Sequence, residues 1–206
     1  MPNFHLPLFP GKHYHIFSRA IGSEKLFMEE ENYRYFLLKM DEHLSSVCEF
    51  WAYCLIPNHF HLLVEIKDEN TIQKAFETSK RGKRFMPEVV SNFIMERFSN
   101  FLNAYSKAIN KRRNRKGALF INYLRRVEIT KDSQLTSAIF YVHKNPVHHG
   151  LVSQIGDWKW SSYASFLTEL PTKLKRESVL EWFGGKQGFL DFHNQPIDLK
   201  GFDEPE

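Results

Sequence analysis

Tyr53-Cys-Leu-Ile-Pro-Asn-His-Phe-His-Leu-Leu-Val-Glu-Ile66 is the stretch that decides the fold. Two apolar runs flank Pro57-Asn58, which reads as two strands joined by a short hairpin turn. In a strand, side chains two residues apart share a face. If His59 opens the second strand, His59 and His61 project side by side, while Phe60 and Leu62 face the other way. Two adjacent imidazoles can grip a divalent metal. They can equally be structural or surface residues, because a lone His-x-His is a weak signal.

On the N-terminal side, His13 to Ala20 alternates polar and apolar residues loosely and reaches Gly22, so it reads as a first strand. Residues 1–12 carry Pro2, Pro7, Pro10 and Gly11 and look like an extended arm. Between them and the central stretch, Met28 to Val47 places Tyr33, Phe36, Leu37, Met40, Leu44 and Val47 at helical spacing. Glu29, Glu30 and Glu31 stand at its front end, where the helix dipole favours acids. Phe50 to Ile56 and His59 to Ile66 follow as strands. Strand, helix, strand, strand is the first half of a ferredoxin-like β-α-β-β-α-β arrangement.

On the C-terminal side, Thr71 to Lys80 is a short helix, interrupted by Arg81-Gly-Lys-Arg-Phe-Met-Pro87. Glu88 to Asn110 carries the stripe Val90, Ile94, Phe98, Phe101, Leu102, Tyr105 and Ile109, read as core packing. Ala118 to Ile129 reads as a further strand. Lys131 to Lys144 is a helix capped by Thr130 or Asp132. Ser137, Tyr141 and Asn145 form a row along one face of it. Asn145-Pro146 is expected to end the regular helix, with Val147 to Val152 as a turn. Asp157 to Tyr163, rich in aromatics, wraps over the core. Lys175 to Phe183 is a last helix stopped by Gly184-Gly185, and Phe189 to Glu206 is a partly loose tail. The expected class is α+β: a ferredoxin-like (RRM-like) antiparallel sheet with helices packed on one face, plus a helical C-terminal extension. The expected parts are an arm (1–12), a main domain (13–165) and the extension with its tail (166–206).

The 206 residues, 42% hydrophobic and with 19 Phe, suffice for one packed domain with elaborations. A net charge of +4 suits a polyanionic partner without requiring one. Eight basic residues and no acidic ones lie between Lys107 and Arg126: Lys107, Lys111, Arg112, Arg113, Arg115, Lys116, Arg125 and Arg126. Such a run is commonly just a solvated face. Beside Gly117, Phe120 and Tyr123 it also suits a phosphate-backbone contact surface. Cys48 and Cys54 are too few for a disulfide framework and read as small core residues. Nothing in this sequence reads as a secretion signal, and no apolar run has membrane-spanning length. The expected compartment is reducing and cytoplasmic, with no membrane partner.

Three separated signatures stand in a fixed order. They are the 53–64 stretch, Gly-Ala-Leu-Phe (117–120) followed by Arg125-Arg126, and Tyr-Val-His-Lys-Asn-Pro-Val-His-His-Gly-Leu-Val (141–152) leading to Trp160-Ser-Ser-Tyr163. Together they resemble the single-domain HUH transposases, most closely the REP-associated tyrosine transposases. The resemblance covers roughly residues 13–165. It implies that His59 and His61 are a metal-binding pair, that Tyr141 is the nucleophile and that Asn145 is a further polar metal ligand. It also implies a Mg²⁺ or Mn²⁺ cofactor, single-stranded DNA with hairpins at REP-like repeat ends as partner, and either monomeric or homodimeric action. The stretch from about 71 to 100 is longer than the shortest members need.

The implied reaction is DNA transposition by transesterification. The Tyr141 oxygen attacks a phosphate and expels a 3′-hydroxyl, leaving a 5′-phosphotyrosine. Two imidazoles and an amide oxygen suit Mg²⁺ or Mn²⁺ better than a closed zinc site, which favours thiolates. No nucleotide cofactor is needed, since the covalent link conserves the ester bond. A second reading stands beside it: a domesticated relative that binds hairpin DNA without cutting it.

Overall fold

Alternation dictates a two-sided sheet, and the structure, a computed structural model, builds one from four strands: β1 (His13–Arg19), β2 (Cys48–Ile56), β3 (His59–Ile66) and β4 (Arg125–Ile129). It describes residues 6–80, 84–121 and 124–195. Pro2 of the arm, Arg81-Gly-Lys83, Tyr123 and the tail beyond Gln195 lie outside the described residues. The strands pair antiparallel in the order β2-β3-β1-β4, the ferredoxin-like order. β3 begins at His59, so the two histidines share a face. Opposite His59 stand Arg19 and Ile56; opposite His61 stand Phe17 and Cys54.

Phe60, Leu62, Val64 and Ile66 point the other way, with Tyr14 and Ile16 of β1. Helices α1 (Glu30–Leu44) and α3 (Val90–Arg112) cover that face, and Phe36, Phe98, Phe101 and Tyr105 complete its core. The histidine face is covered by α4 (Asp132–His148), whose Leu135, Ala138, Ile139 and Val142 pack on Ala52, Cys54, Ile56 and Leu63. Helix α2 (Glu69–Ser79) lies against α3 and is capped by the Asp68 side chain, which accepts from the Thr71 N–H. Cys48 and Cys54 are free and buried. Among the described residues no helix is long and apolar enough to cross a membrane.

Four local expectations change. Helix α4 does not end at Asn145-Pro146 but continues to His148. Proline disfavours the α region in the residue before it without forbidding it. Here both residues are buried, and the turn is completed by His149 N–H donating to Asn145 O and Leu151 N–H to Pro146 O. The start of α4 is held by Gln134, whose side-chain oxygen accepts from the N–H groups of Thr130 and Lys131, in place of a Thr130 or Asp132 cap. The strand read over 118–129 shrinks to β4, Phe120 making only an isolated bridge to Ala20. Residues 186–193 are no loose tail: α5 (Arg176–Trp182) and α6 (Lys186–His193) fold back, and Phe189 is fully buried. Gly184 and Gly185, at φ 73° and 101°, make the corner between them. A Cβ on Gly188 would lie 1.9 Å from the Phe183 carbonyl oxygen, so only glycine allows α6 to start this close to α5.

Candidate active site

The register of β3 presents His59 and His61 to α4, and one helical turn separates Tyr141 from Asn145 on the same face of that helix. His59 Nε2 lies 3.0 Å from Asn145 Oδ1, and His59 Nδ1 lies 3.0 Å from Asn58 Oδ1. His61 Nδ1 lies 2.9 Å from Nε2 of a third imidazole, His15 of β1. The Tyr141 ring stands edge-on to His61 and to His15, with centroids 5.6 Å away in each case. The four residues read from the sequence as nucleophile and ligands are thus brought together within one chain. All are buried, Tyr141 with 5% of its surface exposed.

Burial decides their charge. It pushes His59 down to about 4, against an opposing hydrogen bond to Asn145. It pushes His61 well below the usual range, again with Asn145 opposing and with the neighbouring imidazoles assisting. It pushes His15 down to about 3. All three rings are therefore neutral at pH 7 and carry a lone pair. A neutral His59 can donate from only one nitrogen, yet both face amide oxygens. With its proton on Nδ1 toward Asn58, the Nε2 lone pair meets the Asn145 oxygen, and two such donors converging are what a cation relieves. Asn145 Nδ2 is buried without a hydrogen-bond partner among the described residues, while Oδ1 meets His59. Among those residues no group of three His, Cys, Asp or Glu could hold a metal ion. The donor set that fits is two imidazoles and an amide.

These neutral rings make stability pH-dependent. His143 and His193, bonded to each other at 2.9 Å, are also held down by burial, His193 to about 4. The unfolded chain binds protons near pH 6.5, but the folded chain refuses them until nearer 4. Their contribution is complete above 6.5 and lost as pH falls toward 4. Thermal melting should show Tm dropping steeply between pH 6.5 and 4.5. A flat Tm there would contradict the burial of neutral imidazoles.

The basic cluster divides. Arg113 donates to Lys25 O, Leu26 O and Asn32 Oδ1, and Arg115 to Asn110 Oδ1, Glu24 and Ala118 O. Arg126 is buried and donates to Leu6 O and Leu124 O. These three side chains bind distant loops. Arg112 is exposed and pairs with Glu29, and Arg125 is half-buried. Lys107, Lys111 and Lys116 are exposed.

Of two further residues beside the site, His15 was not read from the sequence and His149 was read as part of a turn. His15 could have been suspected from His13-x-His15, a second His-x-His on a strand. His149 is exposed, with its ring 4.7 Å from that of His59. The aromatic segment 158–163 covers the core, as expected. Trp158 Nε1–H donates to Leu55 O, Trp160 stacks on Tyr33, and the backbone of Trp160 and Ser162 bonds to β2.

No protein-family profile matches the chain. A curated Haemophilus influenzae protein, "Putative REP-associated tyrosine transposase", is 26% identical over 126 residues, which is 58% of this chain and 64% of that protein. The match thus spans less than two thirds of the relative's length. A solved structure, "Structure of the REP associates tyrosine transposase bound to a REP hairpin", superposes with a TM-score of 0.58 at 15% identity, covering 83% of this chain and 89% of that one. In sequence and in fold, the chain resembles the REP-associated tyrosine transposases.

Proposed function

We propose that the chain is a metal-dependent transposase that cuts and rejoins hairpin-bearing single-stranded DNA through a 5′-phosphotyrosine link. The observation that carries this reading is the convergence of Tyr141 and Asn145 of α4 on His59 and His61 of β3, elements 86 residues apart at the Asn145–His59 contact. The relative and the solved neighbour carry names of the same activity class, and the neighbour holds a REP hairpin. We place its action in the cytoplasm, where DNA is reached without crossing a membrane.

Tyr141 Oη attacks phosphorus, the bond from phosphorus to O3′ breaks, and the freed 3′-oxygen leaves with a proton as hydroxyl. The tyrosine proton passes to water or a neighbouring base. Return attack by a 3′-hydroxyl reverses the bonds and rejoins the strand. His59, His61 and Asn145 would hold Mg²⁺ or Mn²⁺, which would supply polarisation of a non-bridging phosphate oxygen. The protein orients the tyrosine by packing its ring edge-on to His61 and His15. Because Tyr141, His59 and His61 are buried, DNA entry includes displacement of covering side chains, and the exposed His149 ring lies 4.7 Å from that of His59.

The test is incubation of the whole chain with labelled single-stranded hairpin DNA and Mn²⁺ or Mg²⁺. A protein–DNA band surviving denaturation supports the reading. Hairpin binding with no such band on any cognate hairpin overturns it and leaves the non-cleaving relative. The exposed lysines give a second check. Neutralising Lys107, Lys111 and Lys116 should lower the slope of log affinity against log salt by about two, at roughly 0.7 per lost phosphate contact on single strands. An unchanged slope removes this surface from the binding face.

A further inference from the structure

His15 is fully enclosed, on the β1 strand beside β3, and belongs to neither the ligand set nor the nucleophile. Its Nε2 is 2.9 Å from His61 Nδ1. The two rings are inclined by only 15° with centroids 5.1 Å apart. Rings stacked face to face lie closer than this. Nearly coplanar rings whose nitrogens meet at 2.9 Å form an in-plane N–H···N hydrogen bond, which is directional and has one donor.

We propose that His15 is a positioning residue that accepts the Nδ1 proton of His61 and so holds the His61 Nε2 lone pair toward a divalent cation. The inference rests on the metal reading above. Between two neutral imidazoles the bond has two polarities. If His15 donated, His61 would carry its proton on Nε2 and would offer a cation nothing. If His61 donates, its Nε2 is bare. His59 shows the same arrangement with an unambiguous partner, since Asn58 Oδ1 can only accept and therefore takes the Nδ1 proton. Both imidazoles are then held from behind at Nδ1, and Asn145 Oδ1 meets His59 Nε2 from the other side. The His15 Nε2 lone pair is spent on this bond, so His15 is not itself a ligand. Its own orientation is set by β1, where it stands across from Leu63, and by the Phe17 ring stacked on it at 4.8 Å. Groups that orient a metal-binding histidine through its other nitrogen are worth about 10–100-fold in metal affinity.

Two measurements test this. Nitrogen-15 NMR on histidine-labelled, metal-free protein reads the tautomer directly, and His61 should be protonated at Nδ1. Mn²⁺ titration followed by electron paramagnetic resonance reads affinity without DNA or turnover. His15→Leu should weaken Mn²⁺ binding about 10–100-fold, while His15→Gln, whose side-chain oxygen can accept the same proton, should keep most of it. A His61 proton on Nε2 overturns the proposal, as does unchanged Mn²⁺ affinity in His15→Leu or equal losses in both variants. If His15→Leu does not fold, the wild-type tautomer and His15→Gln still decide. Wild-type protein that takes up no Mn²⁺ overturns the metal reading itself, and this role with it. Uptake by wild type with no effect of His15 overturns this role alone.

Discussion

Tyr141→Phe should form no covalent protein–DNA adduct under conditions in which the wild-type chain does, a loss to below detection. The substitution removes one oxygen and leaves the ring in place. That ring is packed edge-on against His61 and His15, contacts that phenylalanine keeps. The stability cost should be small, because the ring packing is retained. Mn²⁺ uptake should be unchanged, because the proposed ligands are His59, His61 and Asn145. Hairpin affinity should change little, because backbone contacts to phosphate dominate it. Loss of the adduct alone, with metal and hairpin binding intact, separates a nucleophile from a packing residue. An adduct that persists in the Phe variant would mean that another side chain attacks. Loss of all three readouts would mean that the helix has been displaced.

The face that gathers the candidate site residues was legible because its information is local. Alternation and the Pro57-Asn58 turn fix β3 at His59 to Ile66, the bounds found, and a two-residue period then aligns the imidazoles. Helical spacing likewise places Tyr141 and Asn145 on one face. What was not legible depends on partners far away in sequence. His15 matters because β1 pairs with β3, and pairing is not written in either strand alone. Arg113, Arg115 and Arg126 look like phosphate contacts in a row of basic residues. Their partners include carbonyls and side chains some 80 to 120 residues away. The end of α4 was misread because the proline rule concerns one residue's backbone, whereas burial of Asn145 beside His59 belongs to the whole fold.

The C-terminal helix is the plainest case of such tertiary information, and it yields the largest expected stability effect. Phe189 falls in a stretch that reads as tail: α6 is eight residues long, has glycine within it and is followed by a polar run. A loose phenylalanine could be truncated for less than about 0.5 kcal/mol. In the fold, Phe189 is fully buried and its ring meets those of Tyr163, Phe166, Phe183 and His193 at 4.0–5.5 Å. Phe189→Ala should therefore cost about 3–5 kcal/mol, lowering Tm by about 10 °C at roughly 2–4 °C per kcal/mol for a domain of this size. Gly188→Ala should act in the same direction, because its Cβ meets the Phe183 carbonyl at 1.9 Å, backbone that yields only if α6 shifts. The consequence extends to α4. His193 bonds to His143, and His143 Nε2 bonds to Ser162 Oγ at 2.8 Å, tying α6 through α4 to the segment that runs along β2. His143 lies two residues from Tyr141 on the same helix. Loosening α6 should therefore reduce adduct formation at temperatures where the domain is still folded. Urea unfolding and adduct yield, measured side by side on Phe189→Ala, test both halves. A midpoint equal to wild type would return residues 186–193 to the status of a tail.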